Sequence, residues 1–207
     1  MISSKESWES IAQPSELAFH QNNKWREDKN FVIESKKLFE YFGFDGYDFL
    51  GKNVMDLGAG SKLRTTFFVG ANIYVVEPLA DEFKKIAHCD YSSAKSVFSM
   101  PAEELVGDLI GNMDIVTSIN VLDHCYNFPK IISNISKYLI EGGLALMSYD
   151  YHETADEMHP LTLNFNDSLI IFESASLELV RYYKGLGSRK PTYGHGPYAH
   201  TFVLRKN

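Results

Sequence analysis

At 207 residues the chain is long enough to bury a substantial core and short enough to form one domain. Its 44% hydrophobic and 23% charged residues are those of an ordinary globular protein, and a formal net charge of -7 disfavours nucleic acid as a partner, whose phosphates require clustered Lys and Arg. Cys89 and Cys125 are too few for a disulfide framework, and no stretch has the length of a signal peptide or a membrane span, so a cytoplasmic protein is expected.

A polar and aromatic N-terminal stretch precedes a strongly alternating region. Phe31, Leu38, Phe39 and Phe42 recur at helical spacing and predict an amphipathic helix from about Phe31 to Tyr41, ended by Gly43 and Gly46. Asn53 to Asp56 is a short apolar run closed by an acid and a Gly-rich turn. Ala71 to Glu77 is a second run ending in an acid, and both read as strands. Next come a helix from about Ala80 to Ala87, a strand at Ser96 to Ser99, a helix around Ala102 to Ile110 and a strand at Asp114 to Ile119. A helix at Phe128 to Leu139 is stopped by Gly142 and Gly143, and Leu144 to Tyr149 follows as a strand. After Ser168 the order changes to a helix near Leu169 to Ser174 and two extended runs, Leu177 to Tyr183 and His200 to Leu204, paired antiparallel across a Gly/Pro-rich loop. The pattern predicts an α/β fold with a doubly wound, mostly parallel seven-stranded sheet and an antiparallel last strand. It forms one domain, residues 1–48 being a helical lid and 49–207 the core.

Asp56, Leu57, Gly58, Ala59 and Gly60 fall at a strand-to-turn junction. Glycines there let the backbone approach a ligand, and the helix expected next would offer free N–H groups to a carboxylate or phosphate. A dinucleotide fingerprint would place a third glycine where Leu63 stands, and it does not usually put an acid two residues before the first glycine. Asp56 discriminates, because a carboxylate can orient an ammonium group, which S-adenosylmethionine (SAM) has and a pyrophosphate cofactor lacks. Glu77, at the end of the next strand, can accept from both ribose hydroxyls.

From about Phe49 to Tyr149 the chain resembles the class I SAM-dependent methyltransferases. The resemblance rests on Val54 to Gly60, Tyr74 to Glu77, Met100 to Glu103, and Met113 to His124, with Ile140 to Leu146 as the turn into the fifth strand. It implies SAM as cofactor, with Asp56, Gly58 and Gly60 around its methionine part. Glu77, followed by Pro78, would hold the ribose, Ala102 and Glu103 would meet the adenine, and Asn120 and Val121 would line the methionine side. Two positions depart from the family: Lys62 stands where many members have a third glycine, and Pro101 where an acid often accepts from the adenine amino group.

Ligands of such a sheet sit beyond the carboxyl ends of the strands, which places three segments around the acceptor. His20, Trp25 and Arg26 belong to the N-terminal lid, and His124 follows the fourth strand. Asp150, His152, Asp156 and His159 follow the fifth. Tyr193 and His195 lie in the late Gly/Pro/Tyr loop and would also meet the substrate. His152 and His159 are the candidate bases, since a neutral imidazole can take a hydroxyl proton as the methyl group arrives. Asp150, His152, Asp156 and His159 also offer donors to a cation, but their spacing is not diagnostic and no metal is assigned. The expected activity is methyl transfer to a small molecule, preferably a hydroxyl of a sugar or metabolite. Competing readings are an NAD-dependent or nucleotide-sugar oxidoreductase, opposed by Leu63, and a non-catalytic SAM-binding protein, opposed by the polar residues of these segments.

Overall fold

The computed structural model describes residues 5–22, 29–45, 48–184 and 199–207. The strands are β1 (Asn53–Leu57), β2 (Asn72–Val76), β3 (Ala94–Phe98), β4 (Met113–Ile119), β5 (Leu139–Asp150), β6 (Leu177–Lys184) and β7 (Ala199–Lys206). They form one sheet in the order β3-β2-β1-β4-β5-β7-β6. β1 to β5 run parallel, while β7 lies between β5 and β6 and is antiparallel to both. This is the doubly wound sheet with a reversed last strand that the alternation predicts. The α-helices are α1 (Lys5–Ser7), α2 (Gln13–Asn22), α3 (Lys29–Tyr41), α4 (Ala80–Phe83), α5 (Phe128–Tyr138) and α6 (Phe165–Ser174). A π-helical segment, Trp8–Ala12, joins α1 to α2.

The central strands are apolar on both faces because helices or aromatic loops cover both. Successive residues point to opposite sides. Met55 and Met147 join Phe128, Ile131, Ile132 and Ile135 of α5 and Phe172 of α6. Val54 and Leu146 join Leu38 and Phe39 of α3 and Phe42 just after it, with Phe49 and Phe68. Asn127 caps α5, its side chain accepting from Lys130 N at 3.1 Å, and Pro129 fits the first turn, where an N–H has no helical partner.

Three helices of the sequence reading are shorter than expected or absent. No α-helix follows the glycine turn; Arg64–Phe67 is a 3-10 turn. Thr65 and Thr66 are β-branched, and their hydroxyls bond elsewhere, Thr65 to Asp56 Oδ2 at 2.8 Å and Thr66 to the Leu63 carbonyl at 3.2 Å. The helix expected over 102–110 is only the 3-10 turn Gly107–Leu109, because Gly107 is a poor helix former and the Val106 N–H donates to the Tyr138 hydroxyl at 2.8 Å. α4 stops at Phe83, short of Ala87. Gly142 does not cap α5, which ends at Tyr138 and passes directly into β5; Gly142, at φ +73°, lies inside that strand's irregular start.

His200 begins the sheet interior of β7, with the Tyr182 hydroxyl 2.8 Å from its Nδ1. Burial, reinforced by Lys184, lowers its pKa from 6.5 to about 4, with Asp150 opposing in part. The folded-state value lies below the unfolded one. The unfolded chain therefore takes up a proton that the folded chain refuses, and stability falls as pH drops from about 6.5 towards 4. The shift corresponds to at most roughly 3 kcal/mol. Urea denaturation between about pH 7 and about pH 4.5 should therefore show a smaller acid loss in His200→Gln than in the parent chain. Equal losses would assign the acid lability to other groups.

Candidate active site

The site lies beyond the carboxyl ends of β1, β2 and β4. Gly58 and Gly60 both have positive φ, at +78° and +63°, conformations that favour glycine. The Gly58 N–H donates to the Val76 carbonyl at 2.8 Å, folding the loop across the end of β2. Glu77 then holds the loop from below: Oε2 accepts from Gly60 N at 2.9 Å and Oε1 from Leu79 N at 3.0 Å. The Gly60 carbonyl accepts from the Tyr91 hydroxyl.

These residues border a cleft of about 640 Å³ of empty space, partly open to solvent. Gly58, Gly60, Glu77, Pro78, Ala102, Glu103, Asn120 and Val121 all line it. Asp56 does not; its buried carboxylate lies beneath the loop and accepts from Thr65. Arg64 also turns away, placing its guanidinium 4.6 Å over the Phe31 ring and donating to Ser35 Oγ at 3.1 Å.

Two of the residues that line the cleft each carry a buried acceptor. Among the described residues, Asn120 Oδ1 and Glu103 Oε2 accept no hydrogen bond. Asn120 sits at φ +59°, where asparagine is among the few side chains tolerated. Burial raises the Glu103 carboxyl above its usual range, although its other oxygen accepts from the N–H groups of Tyr126 and Asn127 at 3.0 and 3.1 Å. An unsatisfied buried acceptor costs about 1–3 kcal/mol. SAM has an ammonium, an adenine amino group and ribose hydroxyls, donors that acceptors of this kind can meet, and the Glu77 carboxylate borders the same cleft. The residues present fit that cofactor.

The N-terminal helix closes one side. Trp8, Ala12, Glu16 and His20 fall every four residues and face inward, and the wider π-helical turn offsets the drift such a repeat accumulates on an α-helix. The Trp8 indole N–H donates to the His124 carbonyl at 2.9 Å, and its ring meets Tyr126 edge-on at 5.1 Å. His20 is buried, with Nδ1 2.9 Å from Ser61 Oγ and Nε2 3.1 Å from Glu16 Oε1. It thereby ties the helix to the residue following Gly60. Trp8 and Gln13, which line the cleft, were not singled out from the sequence. The i, i+4 ladder of Trp8, Ala12, Glu16 and His20 was the signal that could have found Trp8. Trp25, Arg26, Tyr193 and His195 lie outside the described residues.

At the other end, β4 and β5 bring a polar cluster together. His124 lines the cleft. His152 Nε2 lies 3.1 Å from Asp123 Oδ2, and the His152 and His159 rings stack 4.0 Å apart. His159 Nδ1 faces the Asp156 carboxylate at 3.1 and 3.2 Å. The hydrogen bond to Asp123 raises the His152 pKa. Burial alone would raise the Asp123 carboxyl, but the His124 and His152 imidazoles outweigh it and hold it below the usual range. Asp150 is buried at the end of β5 and does not line the cleft. Asp123, nearly fully buried, is the partner of His152; the sequence puts it beside His124 past the fourth strand but gives it no role of its own.

The pattern of the methyltransferase domain family matches residues 23–198. The chain belongs to the methyltransferase domain family. Its fold is that of the class I SAM-dependent methyltransferases, as the sequence motifs implied. No curated protein matches this methyltransferase domain in sequence. Among solved structures it is similar to Burkholderia thailandensis 1,6-didemethyltoxoflavin-N1-methyltransferase, bound to 1,6-didemethyltoxoflavin and S-adenosylhomocysteine. That match has TM-score 0.68 and 15% identity and covers 100% of this chain and 92% of the other. Haemonchus contortus phosphoethanolamine N-methyltransferase 2, in complex with SAM, matches with TM-score 0.61 and 13% identity over 93% of this chain and 60% of its own. A SAM-dependent methyltransferase from Aquifex aeolicus matches with TM-score 0.60 and 12% identity over 94% and 98%.

Proposed function

We propose that this chain transfers the methyl group of SAM to a small-molecule acceptor bound between the cleft and the histidine cluster. The observation that carries the reading is the pair of unpartnered buried acceptors, Asn120 Oδ1 and Glu103 Oε2, in the cleft that the glycine loop and Glu77 border. SAM supplies an electrophilic methyl group on a sulfonium. Gly58, Gly60 and Asn120 hold its methionine part, with Asp56 setting the loop from beneath through Thr65. Glu77 and Pro78 take the ribose, and Ala102 and Glu103 the adenine.

The acceptor side is supplied by His124, His152 and His159, with Asp150, His20 and the residues outside the described regions as further candidates for its walls. A hydroxyl acceptor is favoured because an alcohol gains from a base as the methyl arrives, and His152, whose ring Asp123 orients, is our candidate for that base. Two structural neighbours act on nitrogen by name, but such low identity does not carry an acceptor across. A net charge of -7 and the two free cysteines support a cytoplasmic enzyme of small molecules rather than of nucleic acid. No helix of the described residues is long and apolar enough to cross a membrane.

Calorimetric titration with SAM, with S-adenosylhomocysteine and with NAD tests the cofactor, and product mass over a panel of hydroxylated and amino acceptors tests the reaction. Micromolar binding of the first two and a gain of one methyl group on a hydroxylated acceptor are expected. NAD binding with silence towards SAM would overturn the reading. SAM binding without turnover of any acceptor would favour a binding protein.

The N-terminal residues 1–48 act in this reading as a lid whose inner face is anchored by Trp8. Trp8→Ala is expected to cost about 3 kcal/mol, the low end for a buried aromatic, and to weaken SAM binding roughly tenfold. Trp8→Phe, which keeps the packing and loses only the hydrogen bond to His124, should retain most of both. Equal behaviour of the two variants in melting and calorimetry would show that the hydrogen bond, not the packing, anchors the helix.

A further inference from the structure

We propose that Asp123, His124 and His159 bind one divalent transition-metal ion at the acceptor end of the cleft. One carboxylate oxygen and one ring nitrogen from each histidine lie within 4.8 Å of one another. Contraction by about 1 Å would bring the three atoms to metal-ligand distances of roughly 2.0–2.2 Å around a shared centre. Asp123 is 1% exposed, and its Oδ1 accepts no hydrogen bond among the described residues. Oδ2 has His152 Nε2 at 3.1 Å. An ionised carboxylate so deeply buried calls for more positive charge than one imidazole hydrogen bond supplies.

The partners of the two histidines decide which nitrogens are left. His124 Nδ1 lies 3.1 Å from the Met158 carbonyl oxygen, which can only accept, so Nδ1 carries the proton and Nε2 keeps its lone pair. That Nε2 is 3.9 Å from Asp123 Oδ2. His159 Nδ1 faces both Asp156 oxygens at 3.1 and 3.2 Å, which leaves its Nε2 in the same state. Each proposed ligand is therefore held by a group that is not a ligand: Met158 O for His124, Asp156 for His159, and His152 for Asp123. Metal sites fix the tautomer and the ring orientation of their histidines in this way. Two imidazoles and a carboxylate suit zinc, iron, cobalt or nickel better than magnesium or calcium, and three protein ligands leave a position for water or an acceptor oxygen. His152 stays outside the ligand set, in contact with Asp123 and His159.

The test uses the full chain freed of metal with a chelator, and zinc as the probe. Calorimetry should show one equivalent bound with a dissociation constant in the micromolar range or tighter, unaffected by millimolar magnesium. His159→Ala and Asp123→Asn should each weaken binding by at least about 100-fold, and His152→Ala, a positioning change, by roughly tenfold. Melting curves without metal verify that each variant is folded; His152 and His159 are partly exposed, so their variants retain the fold. Absence of saturable zinc binding in the parent chain would overturn the site, as would one-equivalent binding that folded His159→Ala retains unchanged. SAM titrated into the same samples separates the two proposals, because loss of the zinc site with SAM binding intact removes the metal alone.

Discussion

Gly58→Ala is expected to abolish measurable SAM binding and to destabilise the chain more than any other single change at the cleft. A Cβ at this position would lie 2.4 and 2.5 Å from the two methyl groups of Val121, on a backbone at φ +78°. The left-handed conformation costs an L-residue roughly 1–2 kcal/mol, and the overpacking about 1–3 kcal/mol more. Val121 is β-branched and has few rotamers to escape into, and its carbonyl accepts from the His124 N–H at 3.0 Å, which holds its backbone in place. Against a total stability of about 5–15 kcal/mol, such a loss lowers the melting temperature by roughly 5–15 °C. Adding Val121→Ala should return the steric part of the loss and leave the conformational part. A Gly58→Ala protein that melts with the parent chain and binds SAM would show that the loop is not as tightly packed as these distances require.

Glu77→Ala is expected to raise the dissociation constant for SAM by about 100-fold or more, equivalent to roughly 2.7 kcal/mol. Two backbone donors, Gly60 N and Leu79 N, lose a charged acceptor at once, and hydrogen bonds to charged groups contribute about 1.5–3 kcal/mol each. The glycine loop and the turn after β2 then lose their common anchor. Glu77→Gln keeps the shape and one acceptor oxygen and should fall between, with about a tenfold loss. If Glu77→Ala lowers the melting temperature while the folded fraction binds SAM as tightly as the parent does, Glu77 only supports the loop and does not meet the cofactor.

The residues that could be read in advance are those whose function depends on local backbone geometry. Gly58, Gly60 and Glu77 sit at the ends of adjacent parallel strands, so a turn signal and an acid after each apolar run were enough to bring them together. The strands themselves were legible because two covered faces leave Val54, Met55, Leu146 and Met147 no polar alternation. What could not be read was set by distant partners. Thr65 gives its hydroxyl to Asp56, and a 3-10 turn stands where a helix was expected. Val106 gives its N–H to Tyr138, far along the chain, and another expected helix shrinks to one turn. Asp123 looks like any acid at a strand end until His152 arrives from beyond β5. Trp8, near the start of a polar stretch, acquires its role only when the helix crosses to His124.

The place of β7 in the sheet has a consequence for biosynthesis. β5 and β6 never touch as neighbours; each pairs with β7, which the ribosome makes after both. Until Ala199–Lys206 emerges, the growing chain presents the bonding edge of β5, with Leu144, Ala145, Leu146 and Met147 along it, as an unpaired apolar strand. Such an edge invites pairing with other nascent chains. The nascent protein therefore passes through an interval in which β5 lacks its outer neighbour and β6 has no strand to pair with. Slow translation or early termination in that interval would be expected to yield aggregates rather than a smaller folded enzyme.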